Sequence, residues 1–292
     1  MEAAPPTAFL LTLILFSFFS LSSEAAACHS SEQNALLQLK NKFFDPKDIA
    51  FSDWDPKKTP DCCKWSGVLT CDANGRVTWL RLEPFPFAAA QEMPPAIGDF
   101  AFLETLEVYG NLTGPIPASI GNLANLQRLQ LSSGLTGPIP ASLGRLKRLN
   151  NLDLSSNSLT AFPSTMNLIT SLTSVYISDN KLSGQIPDSL SRLRKLEVLC
   201  LANNRLTGPI PPSLSSLPKL QWLDLSANRL TGSIPDSFGS FENPQLWVSL
   251  SQNRLTGPLP KSLGQANVTQ LELSMNQLTG DASLLFGKDK TC

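Results

Sequence analysis

A nucleophile–base relay needs a histidine within reach of a serine or cysteine, and this chain has a single histidine, His29, directly after Cys28. No partner for it can be recognised, so it reads as structural. Glycoside hydrolysis needs two carboxyl groups about 5 to 9.5 Å apart, and Asp153 and Asp224 are separated by three repeats, on the order of 14 Å at strand spacing. Metal chemistry fares no better, because Cys62, Cys63 and Cys71 lack C-x-x-C spacing. No catalytic residue, metal ligand or cofactor is expected. What remains suits recognition: the acids Glu107, Asp153, Asp179, Asp224 and Glu272, the aromatics Tyr176, Trp222 and Trp247, the amides Gln130 and Gln221, and Ser249.

These residues are placed by a repeat. Its cleanest copies are LEVLCLANNRLTGPIP (196–211) and LQWLDLSANRLTGSIP (220–235), and its asparagines, Asn157, Asn180, Asn204, Asn228, Asn253 and Asn276, recur every 23 to 25 residues. L-x-x-L-x-L-x-x-N-x-L at this period is the leucine-rich repeat pattern. It predicts an α/β leucine-rich repeat solenoid with a parallel concave sheet and about nine plant-type coils of 24 residues, spanning 77–282. In L-x-L the leucines point one way and the x residue the other; neighbouring coils must stack to bury the leucines. The Asn satisfies backbone groups at a tight bend. In T/S-G-x-I-P the Gly permits the bend and the Pro removes a donor, which suits a segment on the flank rather than a central strand.

The x residues, coil by coil, are Arg81, Glu107, Gln130, Asp153, Tyr176, Cys200, Asp224, Ser249 and Glu272, expected as one exposed column with four acids and one base. Beside it run Trp79, Thr105, Arg128, Asn151, Ser174, Val198, Trp222, Trp247 and Gln270. The acids either solvate the sheet or meet a partner. Trp222 and Trp247 fall in adjacent coils, and tryptophan is enriched at binding hot spots, so this pair points to recognition. Asp179 is displaced along its strand from the column. Cys200 is expected as an exposed lone thiol, too far from Cys292 to bond it. Ser132, Ser155, Ser178, Ser226, Ser251 and Ser274 form a further column that reads as structural. A regular repeat could also face a lattice such as ice, but columns mixing acids, Tyr, Cys and Ser argue against it.

The chain ends carry different signals. Phe9 to Leu21 is apolar, too short to span a bilayer, and followed by Ala25, Ala26 and Ala27, so 1–27 is read as a secretory signal peptide. No later segment is apolar enough for a membrane span. Cleavage would remove Glu2 and Glu24 and no base from a chain of net charge −1, and near-neutrality makes nucleic acid a poor partner. Residues 28–76 lack the repeat and form a cysteine-containing cap. Ser31 to Phe44 predicts a helix, with Ala35, Leu36, Leu39 and Phe43 at helical spacing. Cys28, Cys62, Cys63 and Cys71 imply disulfide staples; vicinal Cys62 and Cys63 are poorly placed to bond each other, which leaves two pairings. Residues 283–292 form a short tail, leaving the ninth coil's leucines in need of cover.

The run WDPKKTPDCCKWSGVLTCD (54–72), followed by repeats ending L-T-G-P-I-P, resembles plant extracellular leucine-rich repeat proteins and, within them, the polygalacturonase-inhibiting proteins. The resemblance implies Cys28–Cys62 and Cys63–Cys71 pairing. It also implies a secreted defence protein of the cell wall whose concave face docks a fungal or insect polygalacturonase and covers its active-site cleft, with pectin as a further partner. A receptor-like or adaptor protein binding a peptide or receptor is the alternative. GNLTG (110–114) and SGLTG (133–137) each lack one residue and LTAFP (159–163) lacks two, so kinks are expected there. Asn111 and Asn267 head N-x-T sequons and are candidate glycosylation sites.

Overall fold

The computed structural model describes residues 27–43, 51–83, 90–110, 112–241, 243–266 and 268–285. The expected signal peptide and C-terminal tail lie almost wholly outside these residues, as do Asn111, Asn267 and Cys292.

Each repeat makes one turn of a solenoid, and its first strand joins a ten-stranded sheet. Nine of these strands, Val77–Leu82, Thr105–Val108, Arg128–Leu131, Asn151–Asp153, Ser174–Tyr176, Val198–Cys200, Trp222–Asp224, Leu246–Ser249 and Val268–Glu272, run parallel in sequence order. Their leucines form a continuous apolar column; Leu106, Leu129, Leu152, Leu199 and Leu223 are wholly buried. At about 1.5–3 kcal/mol per buried side chain, this column supplies the main driving force for stacking. On the convex side the chain forms short 3-10 helices such as Ala118–Asn122, Ala141–Arg145 and Asp236–Ser240, each entered from a proline. Close stacking requires small residues there: a Cβ on Gly121 would collide with the backbone oxygen of Ser142.

The T/S-G segment forms short parallel strands of its own. From Ser183–Gly184 through Arg205–Gly208, Arg229–Gly232 and Arg254–Pro258 to Gln277–Thr279 they make a five-stranded flank sheet. Proline follows or ends two of these strands, Arg205–Gly208 and Arg254–Pro258, and comes three residues after Arg229–Gly232, so the ladder donors it lacks fall at the margin. The expectation of a mere flank segment therefore understated its pairing. In the early coils this sheet breaks into two-stranded pieces, Gln91–Glu92 with Leu112–Thr113 and Thr136–Gly137 with Ser158–Leu159. Three of those four strands lie in the coils whose repeats are short.

From the fourth coil to the ninth, the bend after the concave strand is fixed by one residue pair per coil. Ser156, Asp179, Asn203, Ala227, Gln252 and Met275 take left-handed backbone with φ of 51–57°, a conformation costing about 1–2 kcal/mol for most L residues. It turns the following Asn inward. Asn228 Oδ1 accepts from Leu206 N (3.0 Å), in the preceding coil, while its Nδ2 donates to Leu201 O (3.0 Å), Leu225 O (3.2 Å) and Ser226 O (3.1 Å). The same set recurs at Asn157, Asn180, Asn204, Asn253 and Asn276.

The first coil is covered by the cap. Its helix, Ser30–Phe43, buries Ala35, Leu36 and Leu39 as the spacing predicts; the Phe43 side chain is outside the described part. Strand Val68–Cys71 pairs antiparallel with Val77–Leu82 and extends the concave sheet. Trp54 and Trp65 stack at 5.8 Å, and their ring N–H groups donate to Ser66 O (2.7 Å) and Thr59 O (2.8 Å). Glu32, fully buried, accepts from Arg76 Nε at 2.8 Å, and the Arg76 guanidinium lies over the Phe102 ring at 4.2 Å, tying cap to second coil. Burial pushes the Glu32 carboxyl above its ordinary range, with Arg76 opposing.

Replacing Asn228 with Ala orphans the buried Leu206 N–H and takes one of two donors from Leu201 O, Leu225 O and Ser226 O, which keep Asn204 Nδ2, Asn253 Nδ2 and Asn203 N. At about 1–3 kcal/mol for the orphaned group, a loss of about 1–3 kcal/mol is expected in urea unfolding. Asn276→Ala, at a half-buried position where water can substitute, is expected to cost distinctly less.

Candidate functional site

The concave columns stand in register as read. Glu107 pairs with Arg81 and Gln130, Asp153 with Gln130 and Tyr176, Cys200 with Tyr176 and Asp224, and Ser249 with Asp224 and Glu272. The parallel ladder, with no bulge from Thr105 to Asp224, achieves this: each coil adds one strand without slipping. In the second column Trp222 pairs with Trp247. Their ring centroids are 4.2 Å apart with planes 32° from parallel. Trp222 is 43 % exposed, against 1 % for Trp54 and Trp65 in the cap.

Exposure along the column is uneven, which corrects the expectation of one wet strip. Glu107 is only 6 % exposed. It lies between Arg128 Nε at 3.3 Å and Arg81 Nε at 3.8 Å, and the Arg81 guanidinium in turn covers the Tyr109 ring at 5.3 Å. Long neighbours fold over the shorter acid and neutralise it. Ser249 is 1 % exposed, its Oγ sharing hydrogen bonds with Glu272 Oε2 (3.1 Å) and Ser251 Oγ (3.2 Å). A residue so small between two acids forms a floor, not a contact tip.

Cys200 is likewise not the exposed thiol that the pattern suggested. It is half-buried, 3.0 Å from Ser178 Oγ and 3.8 Å from Asp224 Oδ2. Burial raises its pKa, and the Asp224 carboxylate adds to the rise while the Ser178 hydrogen bond opposes it. Such a thiol is a poor nucleophile at neutral pH.

The remaining candidates are accessible in different ways. Asp153 and Tyr176 are half-exposed in adjacent strands, and Gln130 lies beside them. Asp179 sits beyond its strand on the left-handed bend, exposed, and accepts from Asn203 Nδ2 at 2.6 Å. Gln221 is exposed at the edge next to Trp222. Asp224 Oδ1 accepts from the N–H and Oγ of Ser226, at 3.0 and 2.6 Å. Glu272 Oε1 accepts from Gln270 Nε2 at 2.8 Å. In the cap Cys28 is bonded to Cys62 and Cys63 to Cys71.

The electrostatic pattern is sharper than net charge suggested. The strand and left-handed-turn positions of coils four to nine, from Asn151 to Met275, hold Asp153, Asp179, Asp224 and Glu272 and no Lys or Arg. Ion pairs among the described residues all lie towards the N-terminal end, the last at Arg128. On the flank, the residue after each Asn from Asn180 to Asn253 gives an exposed row, Lys181, Arg205, Arg229 and Arg254, none of them in an ion pair among the described residues. Sequence reasoning missed this row, although N-[KR]-L in four successive repeats was its signal.

Comparison with known proteins agrees with this architecture. Residues 29–72 match the leucine rich repeat N-terminal domain and residues 170–230 the leucine rich repeat. Polygalacturonase inhibitor 1 of Arabidopsis thaliana is 38 % identical over 114 residues, 38 % of this chain and 33 % of that protein. The matched stretch thus spans about a third of that relative's length. Among solved structures, a plant ice-binding protein superimposes with a TM-score of 0.72 at 28 % identity, covering 87 % of this chain and 88 % of the other. The PEPR1–AtPEP1 structure follows with a TM-score of 0.71 at 29 % identity, covering 86 % and 42 %. The inhibitor relatives are named for blocking an enzyme and are not enzymes themselves. No helix among the described residues is long and apolar enough to cross a membrane. With its stapled cap, its in-register concave columns and these likenesses, the chain folds as a leucine-rich repeat solenoid similar to the plant polygalacturonase inhibitors.

Proposed function

We propose that the chain is a secreted inhibitor that docks a fungal or insect polygalacturonase on its concave face and covers the enzyme's active-site cleft. The observation carrying this reading is the base-free acidic strip from Asp153 to Glu272 with a stacked tryptophan pair, Trp222 exposed and Trp247 half-buried, towards one end. A hot spot of that composition suits a protein surface. Two disulfides fit an oxidising extracellular setting. The mechanism is steric: side chains fix orientation, and a rigid solenoid blocks the cleft. Depolymerisation of pectin by a panel of polygalacturonases, with and without the purified chain, tests it. Asp224→Lys and Trp222→Ala are each expected to weaken inhibition at least tenfold. If no enzyme is inhibited by the folded monomer, an extracellular adaptor binding a peptide or receptor takes its place.

The flank row supports pectin as a second partner. Lys181, Arg205, Arg229 and Arg254 belong to consecutive coils whose strands lie about 4.8 Å apart, a line of charge that a linear polyanion can follow. Oligogalacturonate binding is expected to fall steeply with salt and to be lost in Arg205→Gln/Arg229→Gln, with concave-face inhibition retained.

A second reading, ice binding, is favoured by one observation: exposed hydroxyls at Thr136, Thr160, Ser183, Thr207, Thr231, Thr256 and Thr279, one per coil on the flank, in a chain whose shape matches a plant ice-binding protein over most of both lengths. Against it, Thr207 and Thr231 face Arg229 and Arg254 across the strands, so charge interrupts the row. Inhibition of ice recrystallisation that is abolished by Thr207→Tyr/Thr231→Tyr would establish it; its absence leaves the inhibitor reading alone.

A further inference from the structure

The C-terminal end of the concave face contains a notch whose chemistry is more specific than the strip around it. Asp224, Ser249 and Glu272 are register partners on three successive strands. Strand spacing puts the two acids roughly 10 Å apart, with the buried Ser249 as the floor between them. Trp222 precedes Asp224 by two residues on the same face, and Trp247 stands in the same relation to Ser249, so the stacked indoles form the third wall. Both carboxylates are held in place, Asp224 by Ser226 and Glu272 by Gln270 and Ser249. Neither has an ion-pair partner among the described residues. At the opposite end of the same column Glu107 is already neutralised by Arg81 and Arg128.

We propose that this notch receives one basic side chain, arginine in preference to lysine, from the protein docked on the concave face. The inference rests on the reading of that face as a protein-docking surface and adds the chemistry of one contact at its C-terminal end. Two oriented carboxylates without a counter-ion complement a cation. The indole pair, exposed at Trp222 and half-buried at Trp247, complements an aliphatic stem and a guanidinium face. A planar guanidinium with donors on both edges can address the acids on either side at once, which a lysine ammonium cannot. A uronic acid chain meets repulsion here, so the notch and the basic flank row select different partners.

The test uses short glycine–serine peptides carrying arginine, lysine, glutamine or glutamate, added to the full chain while the indole N–H resonances are followed, assigned with Trp222→Phe and Trp247→Phe. The arginine peptide is expected to shift the Trp222 and Trp247 signals and leave those of Trp54 and Trp65 in place, with lysine weaker and glutamate inert. Asp224→Asn/Glu272→Gln, which keeps side-chain shape, should weaken arginine-peptide binding at least fivefold with an unchanged unfolding midpoint. Equal shifts from arginine and glutamate peptides, undiminished binding by the double variant, or indole shifts caused by oligogalacturonate would each overturn the proposal. Because the readout needs no polygalacturonase, a chain that binds arginine but inhibits nothing refutes only the inhibitor reading. A chain that inhibits but ignores arginine refutes only the notch.

Discussion

From the fourth coil to the ninth, each turn of this solenoid hangs on one asparagine amide. Asn204 accepts from Leu182 N at 2.9 Å in the coil before it and donates to Ile177 O at 2.9 Å in the same neighbour, so a single side chain closes its own bend and sews two coils together. A hydrogen bond is directional where leucine packing is not. The leucine column would tolerate small slips between coils; the asparagine ladder does not. Register on the concave face, and with it the pairing of Trp222 with Trp247, follows from this constraint.

The bend that presents the asparagine is conformationally expensive. Ala227 has no side-chain feature favouring left-handed backbone, yet it adopts φ of 51°, because its N–H donates to Ser251 O at 2.9 Å and its carbonyl accepts from Asn204 N at 3.2 Å. The ladder across coils overrides the local preference. Strain is thus distributed at one residue per coil and offset by bonds that exist only when neighbours are stacked, as expected for a fold whose units are not stable alone.

Function sits on what the ladder leaves free. The same period that stacks leucines inside also aligns acids on the concave side and Lys181, Arg205, Arg229 and Arg254 on the flank, so a nearly neutral chain presents two long surfaces of opposite sign. Their separation would let the proposed protein and polyanion partners bind without competing for one site. At the N-terminal end the pattern is interrupted by the Arg81, Glu107 and Arg128 cluster, whose charges are spent on each other.

The sequence by itself determined the fold, the number of coils and the membership of each column, because a period of about 24 residues with L-x-L inside it permits only one stacking. The helix at Ser30–Phe43 and the alignment of Trp222 with Trp247 were equally legible, since both depend on local spacing. Tertiary structure decided which column members are available. Glu107 and Ser249 share the x position with Asp153 and Asp224, yet one is folded under two arginines and the other lies beneath its neighbours, because exposure depends on side-chain length in adjacent coils and not on position within a coil. The flank sheet also emerged only in three dimensions: glycine and proline in the repeat speak for a bend, and pairing between those short segments is imposed by the stacking of whole coils.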